Sequence, residues 1–407
     1  MFKSNFPIFQ NNPWLVYLDN AASTQKPQYV IDGVSDFVSK YYANIHRWNY
    51  WLSEKSEWFY HKSKELVAQF LWCKASEIIY GYNATQLINL IAQSLCNCWK
   101  LKKWDTVLLW IRDHHANILP RQILAETYGF QIRFINIDKN YDIDREDFEK
   151  KYDETVKVVA CWHVSNVTWT IYDVKKIKSK LNENTFFLVD GSQSVPNFPV
   201  DVNQIQCDCL VFTGHKMMAY TGIWAMYLKK EWIKLLKPLI SWWGAIEDVD
   251  TTWYKLPTTL EKFEAWTPNI IWAISLLKSL EYIKSIGWMS AIRKHEQELV
   301  NYIISKAWSL PAGRHGMKHK AFSIIGSLDP SKRVWVFSFV IPSKPNFNEI
   351  GEKFDEDKIC IRCGWHCAYP LHKYLGISGT CRMSIYIYND KQDIDKFFDC
   401  LEKMIAS

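Results

Sequence analysis

FFLVDGSQSVPNFPVDVNQIQCDCLVFTGHK, residues 186–216, sets two apolar runs in series, the first ending in Asp190 and the second in Thr213-Gly214-His215-Lys216. Each run is short and rich in Phe, Val, Leu and Cys, the composition of a strand buried on both faces of a parallel or mixed sheet. Ligands of such sheets sit beyond the strand ends. The stretch therefore predicts a strand-end site carrying an acid and a lysine. Strand and helix patterns alternate upstream of it: DTVLLW at 105–110, a helix after Ala116, IRFINI at 132–137, VKVVACWHVSN at 156–166 and a helix near 173–181. That rhythm predicts an α/β layered domain.

Further upstream, a short strand over 15–18 leads into DNAAST at 19–24. Helical patterns run from about Pro27 to Tyr42 and from Ser53 to Phe70, with ANIHRW at 43–48 between them. EIIYGYNATQLINL then reads as a strand, a loop and a helix beginning near Asn83 to Thr85. A helix start with free amides and a hydroxyl is a ready phosphate site. Downstream, one long helical pattern is expected from Pro268 through ISLLKSLEYIKSIG and HEQELVNYIISKA. Strands are expected at VWVFSFVI, Ile359 to Arg362 and CRMSIYIY, with a closing helix at IDKFFDCLEKMI. The division expected is a large domain over 15–285 and a smaller α+β domain over 286–407, residues 1–14 packing on the latter.

The 407 residues suffice for a large core. Net charge is +6, from 49 basic and 43 acidic residues with no long basic run, which argues against nucleic acid as the main partner. No stretch approaches the roughly 18 apolar residues of a membrane span, and the first twenty residues lack a continuous apolar segment. A cytoplasmic location is the expectation. Eleven cysteines, scattered from Cys73 to Cys400, do not form the even framework of a secreted disulfide protein.

An aspartate and a lysine at neighbouring strand ends suit pyridoxal 5'-phosphate, which needs a lysine for its Schiff base and a carboxylate facing its ring nitrogen. VDGSQ at 189–193 and TGHK at 213–216 resemble the signatures of the class V branch of fold-type I enzymes that use this cofactor. More closely they resemble SufS-type cysteine desulfurases. The resemblance covers nearly the whole chain and implies a mainly parallel seven-stranded sheet flanked by helices. It implies Asp190 as the ring acid, Lys216 as the Schiff-base lysine and His114, in RDHHAN, as a residue stacked on the cofactor ring. It further implies Gln193 at the phenolic oxygen, Thr85, Thr213 and His215 at the phosphate, and Thr267, in EAWTPN, reaching that phosphate across a homodimer interface. Asn166, Arg362, Arg382 and His46 are implied on the substrate side. Arginine suits a carboxylate because its planar fork binds two oxygens at once.

Cys367 lies in IRCGWHCAYPL, which resembles the family's RxGHHCAxP apart from Trp365. The resemblance makes Cys367 the persulfide-forming nucleophile of an enzyme converting L-cysteine to L-alanine, with a small acceptor protein of SufE or SufU type receiving the sulfur for iron–sulfur cluster assembly. Selenocysteine lyase, class V aminotransferase and a non-catalytic partner protein on the same scaffold are the rivals. A metal site is a further rival, because Cys360, Cys363, His366 and Cys367 offer four soft ligands within eight residues. Zinc sites usually pair such a cluster with a second, distant pair, and none is evident here.

Tryptophan outnumbers glycine, 21 to 15. Trp48, Trp104, Trp169, Trp224, Trp242, Trp243 and Trp266 stand where the family has glycine, while Gly191, Gly214, Gly222 and Gly364 persist. The mixture points to UGA codons meaning glycine in the source and written here as tryptophan, the rival being a genuine, Trp-rich divergent enzyme. If so, several of these tryptophans should sit at positive φ, which bulky residues avoid.

Overall fold

The computed structural model describes residues 2–46, 50–98, 100–240, 246–264, 267–309 and 322–406. Seven strands form the main sheet: β1 (Ile78–Gly81), β2 (Thr106–Trp110), β3 (Gln131–Ile135), β4 (Val156–Trp162), β5 (Phe186–Asp190), β6 (Cys209–Thr213) and β7 (Trp224–Leu228). Their order is β1-β7-β6-β5-β4-β2-β3. β7 runs antiparallel to both neighbours and every other pairing is parallel. Every residue of β2, β5, β6 and β7 is buried. Helices cover both faces, so those strands are apolar throughout and do not alternate.

From β2 the chain passes to the edge strand β3 and then returns across β2 to β4. That reversal opens a crevice beyond the carboxyl ends of β2 and β4. Asp113 closes its floor: one carboxylate oxygen accepts from the Trp110 amide at 3.1 Å and the other from the Trp162 amide at 3.2 Å.

A second sheet is antiparallel, with β8 (Ser323–Ile325), β9 (Val336–Val340), β10 (Arg362–Gly364) and β11 (Thr380–Ser384) in the order β8-β9-β11-β10. The helix Phe347–Glu356 packs on β10 and β11 and against the closing helix Lys391–Ala406. The amino-terminal segment ties into this region. Val16–Tyr17 pairs in parallel with Ile359–Cys360, Lys3 meets Asp393 at 2.7 Å, and Phe6 packs edge-on against Tyr282 and Tyr388.

Three expectations need correction. The long helix after Pro268 is two helices, Ile270–Ser285 and Trp288–Ser309, because Gly287 turns the chain at φ 102°. The strand expected over 359–362 divides, since Ile359–Cys360 pairs with the amino-terminal segment whereas β10 pairs with β11. The helix expected to 181 ends at Lys178.

Among the tryptophans at family glycine positions, Trp104 (φ 76°) and Trp169 (φ 70°) occupy the left-handed region. Trp224 does not; it opens β7 with its ring 4.9 Å from that of His215. Trp48, Trp242, Trp243 and Trp266 lie outside the described residues. Trp72 (φ 58°) and Trp288 (φ 64°) also have left-handed backbone. Trp72 terminates the helix Trp51–Leu71, at a position glycine ordinarily fills.

Candidate active site at the strand ends

Lys216 ends a single tight turn, Gly214–Lys216, that follows β6. A Cβ on Gly214 would lie 2.9 Å from the Ile223 carbonyl oxygen, so only glycine lets the chain turn there. Burial lowers the Lys216 amine to about 8, against the opposing pull of Asp190. Arg382 and Arg362 lower it further and Cys367 raises it, which places all four groups within electrostatic reach of the amine. Among the described residues no hydrogen bond or ion pair engages the Lys216 amine.

Asp190 ends β5, beside β6. One of its oxygens accepts from the Trp162 indole at 2.7 Å and the other from the Ser192 amide at 2.9 Å. A carboxylate accepts about four hydrogen bonds, so acceptor capacity remains. His114 caps the helix His115–Tyr128, its Nδ1 accepting from the Ala116 amide at 3.1 Å. Its ring lies 5.6 Å from that of Trp162. Burial lowers its pKa to about 4, so the imidazole is neutral at pH 7. Gln193 is buried, its amide donating to the Ala21 carbonyl at 3.0 Å.

Two arginines enter from the second sheet. Arg362 and Arg382 stand directly opposite each other on β10 and β11. Between them lies Asp19, whose Oδ2 accepts from Arg362 Nη2 at 2.8 Å and whose Oδ1 accepts from Arg382 Nη2 at 3.4 Å. Arg382 is buried and also donates to the Asn166 carbonyl at 3.2 Å, whereas half of the Arg362 side chain is exposed. The arginine pair is thus held in place and partly neutralised from within.

Cys367 is exposed on a loop whose backbone is fixed on both sides. His366 (φ 48°) and Cys367 (φ 55°) are both left-handed, a conformation that persists only where its surroundings impose it. The Asn166 amide donates to the His366 carbonyl at 2.7 Å, and the Cys367 carbonyl accepts from the His115 amide at 2.9 Å. The His115 ring in turn accepts from the Tyr369 amide at 3.0 Å. His366 Nε2 faces the Thr380 carbonyl at 3.0 Å and Cys363 Sγ faces Cys381. His366 and Cys363 therefore take separate partners, and among the described residues no three His, Cys, Asp or Glu side chains converge on a metal position.

On the phosphate side, Thr213 Oγ1 is buried without a partner, and burial lowers His215 to about 3. Thr85 is exposed on the first turn of Ala84–Asn97, which Asn83 caps. Thr267 is exposed just ahead of Ile270–Ser285. His46 is exposed and paired with Glu57 at 2.8 Å. Within one chain neither Thr267 nor His46 contacts the Lys216 cluster among the described residues. Asp19, Asp113, His115 and Trp162 are the site residues that sequence reasoning missed. The only available signal was their adjacency to DNAAST, RDHHAN and HVSN.

The residues fit pyridoxal phosphate. An aldehyde requires an amine of lowered basicity, and the ring nitrogen requires a fixed carboxylate. Thr213 Oγ1, Ser192 Oγ, Asn166 Oδ1 and Arg382 Nε are buried polar atoms without partners, and such atoms point to a ligand. With the seven-stranded sheet, this site defines a fold-type I pyridoxal phosphate-dependent transferase. The chain belongs to the aminotransferase class-V family, whose profile matches residues 16–397. It is 34% identical over 407 residues to a probable cysteine desulfurase of Pyrococcus abyssi, covering 100% of this chain and 97% of that protein. It is 35% identical over 410 residues to a probable cysteine desulfurase of Halalkalibacterium halodurans, covering 98% and 96%. The apo structure of a cysteine desulfurase from Thermococcus onnurineus NA1 superposes with a TM-score of 0.91 at 32% identity, covering 99% of this chain and 97% of that one.

Proposed function

We propose that this protein is a pyridoxal phosphate-dependent cysteine desulfurase that converts L-cysteine to L-alanine and leaves the sulfur as a persulfide on Cys367. The observation that carries the reading is an exposed cysteine on a pinned loop, within electrostatic reach of a lysine of lowered basicity and two arginines. An aminotransferase has no use for that thiol. Pyridoxal phosphate, when bound, supplies the electron sink for the negative charge that develops at the substrate Cα.

The chain's own residues do the rest. Asp190 would face the ring nitrogen and keep it protonated, His114 would stack on the ring as a neutral imidazole, and Thr213, Gln193 and His215 would hold the cofactor's oxygens. Thr85 would support the phosphate from a helix start, and Thr267 would support it from the second subunit of a homodimer. Arg382, with Arg362 and Asn166, orients the substrate carboxylate, and His46 lies on the substrate side. The Lys216 amine removes the Cα proton and later returns one. The Cys367 thiolate then attacks the substrate sulfur; the carbon–sulfur bond breaks, its electron pair stays with carbon, and that carbon is protonated.

A large domain over 15–285 and a smaller one over 286–407 enclose this site. The sulfur passes to a small acceptor protein of SufE or SufU type for iron–sulfur cluster assembly in the cytoplasm. No described helix is long and apolar enough to cross a membrane. The test is the product balance: purified holoenzyme given L-cysteine and a reductant should yield equal alanine and sulfide. Folded protein that takes up no pyridoxal phosphate, or an unchanged yield in Cys367→Ala, would sink the reading.

A further inference from the structure

We propose that Cys363 and Cys381 form an oxidisable dithiol site, separate from Cys367, that closes to a disulfide when a small hydroperoxide or low-molecular-weight disulfide reaches it. Cys363 on β10 stands directly opposite Cys381 on β11. Opposed residues of antiparallel strands hold their Cα atoms about 4.5 or 5.5 Å apart. Both spacings fall within the roughly 4.4–6.8 Å that a disulfide spans. The sulfurs already meet, Sγ to Sγ at 2.7 Å, as free thiols. The strands therefore need no rearrangement to be bridged.

The pair lies outside the active site. Side chains alternate along a strand, so Arg362 and Arg382 turn toward Asp19 while Cys363 and Cys381 turn to the other face. There they lie under the helix Phe347–Glu356. The Phe347 carbonyl is 3.6 Å from Cys381 Sγ, and a Cβ on Gly351 would sit 3.3 Å from Cys363 Sγ. Reagent can reach the pair from two sides: Cys363 is only half-buried, and a pocket of about 260 Å³, lined by Phe347, Ile350, Gly379 and Cys381 among others, borders Cys381. Cys381 is buried and Cys363 only half-buried, so Cys363 is the sulfur that meets the reagent first; the contact with Cys363 and burial push the Cys381 thiol up.

The chemistry balances. The Cys363 thiolate attacks one peroxide oxygen, the O–O bond breaks, and Cys363 carries a sulfenic acid while the other oxygen takes a proton and leaves as water from hydrogen peroxide or as the alcohol from an organic hydroperoxide. The Cys381 sulfur then displaces the hydroxyl, which departs as water as the S–S bond forms. Two electrons and two protons pass from the dithiol to the peroxide. With a small disulfide, two exchange steps release two thiols and leave the same bridge. The bridge forms one residue from both site arginines, on the two strands that carry them.

The site does not rest on the desulfurase reading, so a protein without that activity would still have to form the bridge. Full-chain holoenzyme is treated with hydrogen peroxide or, separately, oxidised glutathione, then alkylated with iodoacetamide and digested with trypsin without reduction. Cleavage after Arg362, Lys373 and Arg382 isolates residues 363–373 and 374–382. We expect most of the protein to yield these two peptides joined, 2 Da lighter than their sum and separable by dithiothreitol. The linkage should persist in Cys367→Ala and vanish in Cys363→Ser, and Cys363→Ala covers the case in which the serine variant misfolds. Alkylation of both Cys363 and Cys381 after oxidation, or fragmentation that maps the linkage to Cys367, overturns the proposal.

Discussion

If Lys216 is the amine that captures the cofactor aldehyde, its acidity sets the pH dependence of capture. Its pKa is about 8, lowered from 10.5 chiefly by burial. At pH 7 about 9% of such an amine is neutral, against about 0.03% of an ordinary lysine, a gain of roughly 300-fold in reactive form. Cofactor-free enzyme mixed with pyridoxal phosphate should therefore colour at a rate that rises with pH and levels off above about pH 8. Asp190→Asn removes the charge that supports the ammonium, so the midpoint should fall. Stability carries the same signature with a definite sign. Between the folded value of about 8 and the unfolded value of 10.5 the native state binds fewer protons than the unfolded state, so stability of the cofactor-free protein rises with pH across that window. The difference between these two values corresponds to about 3 kcal/mol. Lys216→Met should stabilise the cofactor-free protein at pH 7 by about that amount and flatten its stability between pH 8 and 10.5. A capture midpoint near 10, or urea midpoints for Lys216→Met that keep the wild-type pH slope, would refute the reasoning.

Four further outcomes are expected. Cys367→Ala should retain cofactor absorbance and lose nearly all sulfide release, whereas Cys363→Ser should keep activity within about twofold of wild type. His115→Ala removes the acceptor for the Tyr369 amide; one net hydrogen bond is worth about 1 kcal/mol. Sulfide release should fall about fivefold while cofactor absorbance stays, and loss of both together would show a general folding defect. Trp72 and Trp104 are exposed residues in left-handed backbone. Left-handed backbone costs a residue with a Cβ about 1–2 kcal/mol, and glycine returns part of that gain through the entropy of the unfolded chain. Trp72→Gly and Trp104→Gly should each stabilise by about 1 kcal/mol in urea unfolding, and a drop in midpoint would contradict the strain argument. Mass spectrometry of the protein from its source should find glycine at Trp104 and Trp169, and tryptophan-bearing peptides there would end the recoding hypothesis.

Elements whose sequence signal is local and strong were legible from the chain alone. Phe186–Asp190 and Cys209–Thr213 are apolar throughout because both faces of the sheet are covered, so their ends, Asp190 and Lys216, were visible as strand-end groups. The helices Gln28–Lys40, Trp51–Leu71 and Lys391–Ala406 fall close to their expected spans because amphipathic spacing is a property of consecutive residues. The strands Trp224–Leu228 and Ser323–Ile325 were not foreseen; both join their sheets by antiparallel pairing, outside the strand–helix alternation that marked the parallel strands. Partners distant in sequence were beyond reach for a different reason. Asp19 joins Arg362 and Arg382 across 343 and 363 residues, and His115 fixes Tyr369 across 254. Cys363 and Cys381 are likewise brought together only by the register of β10 on β11. Side-chain chemistry is written in the chain, but which groups meet depends on strand order and register, and those are settled by burying the two sheets together.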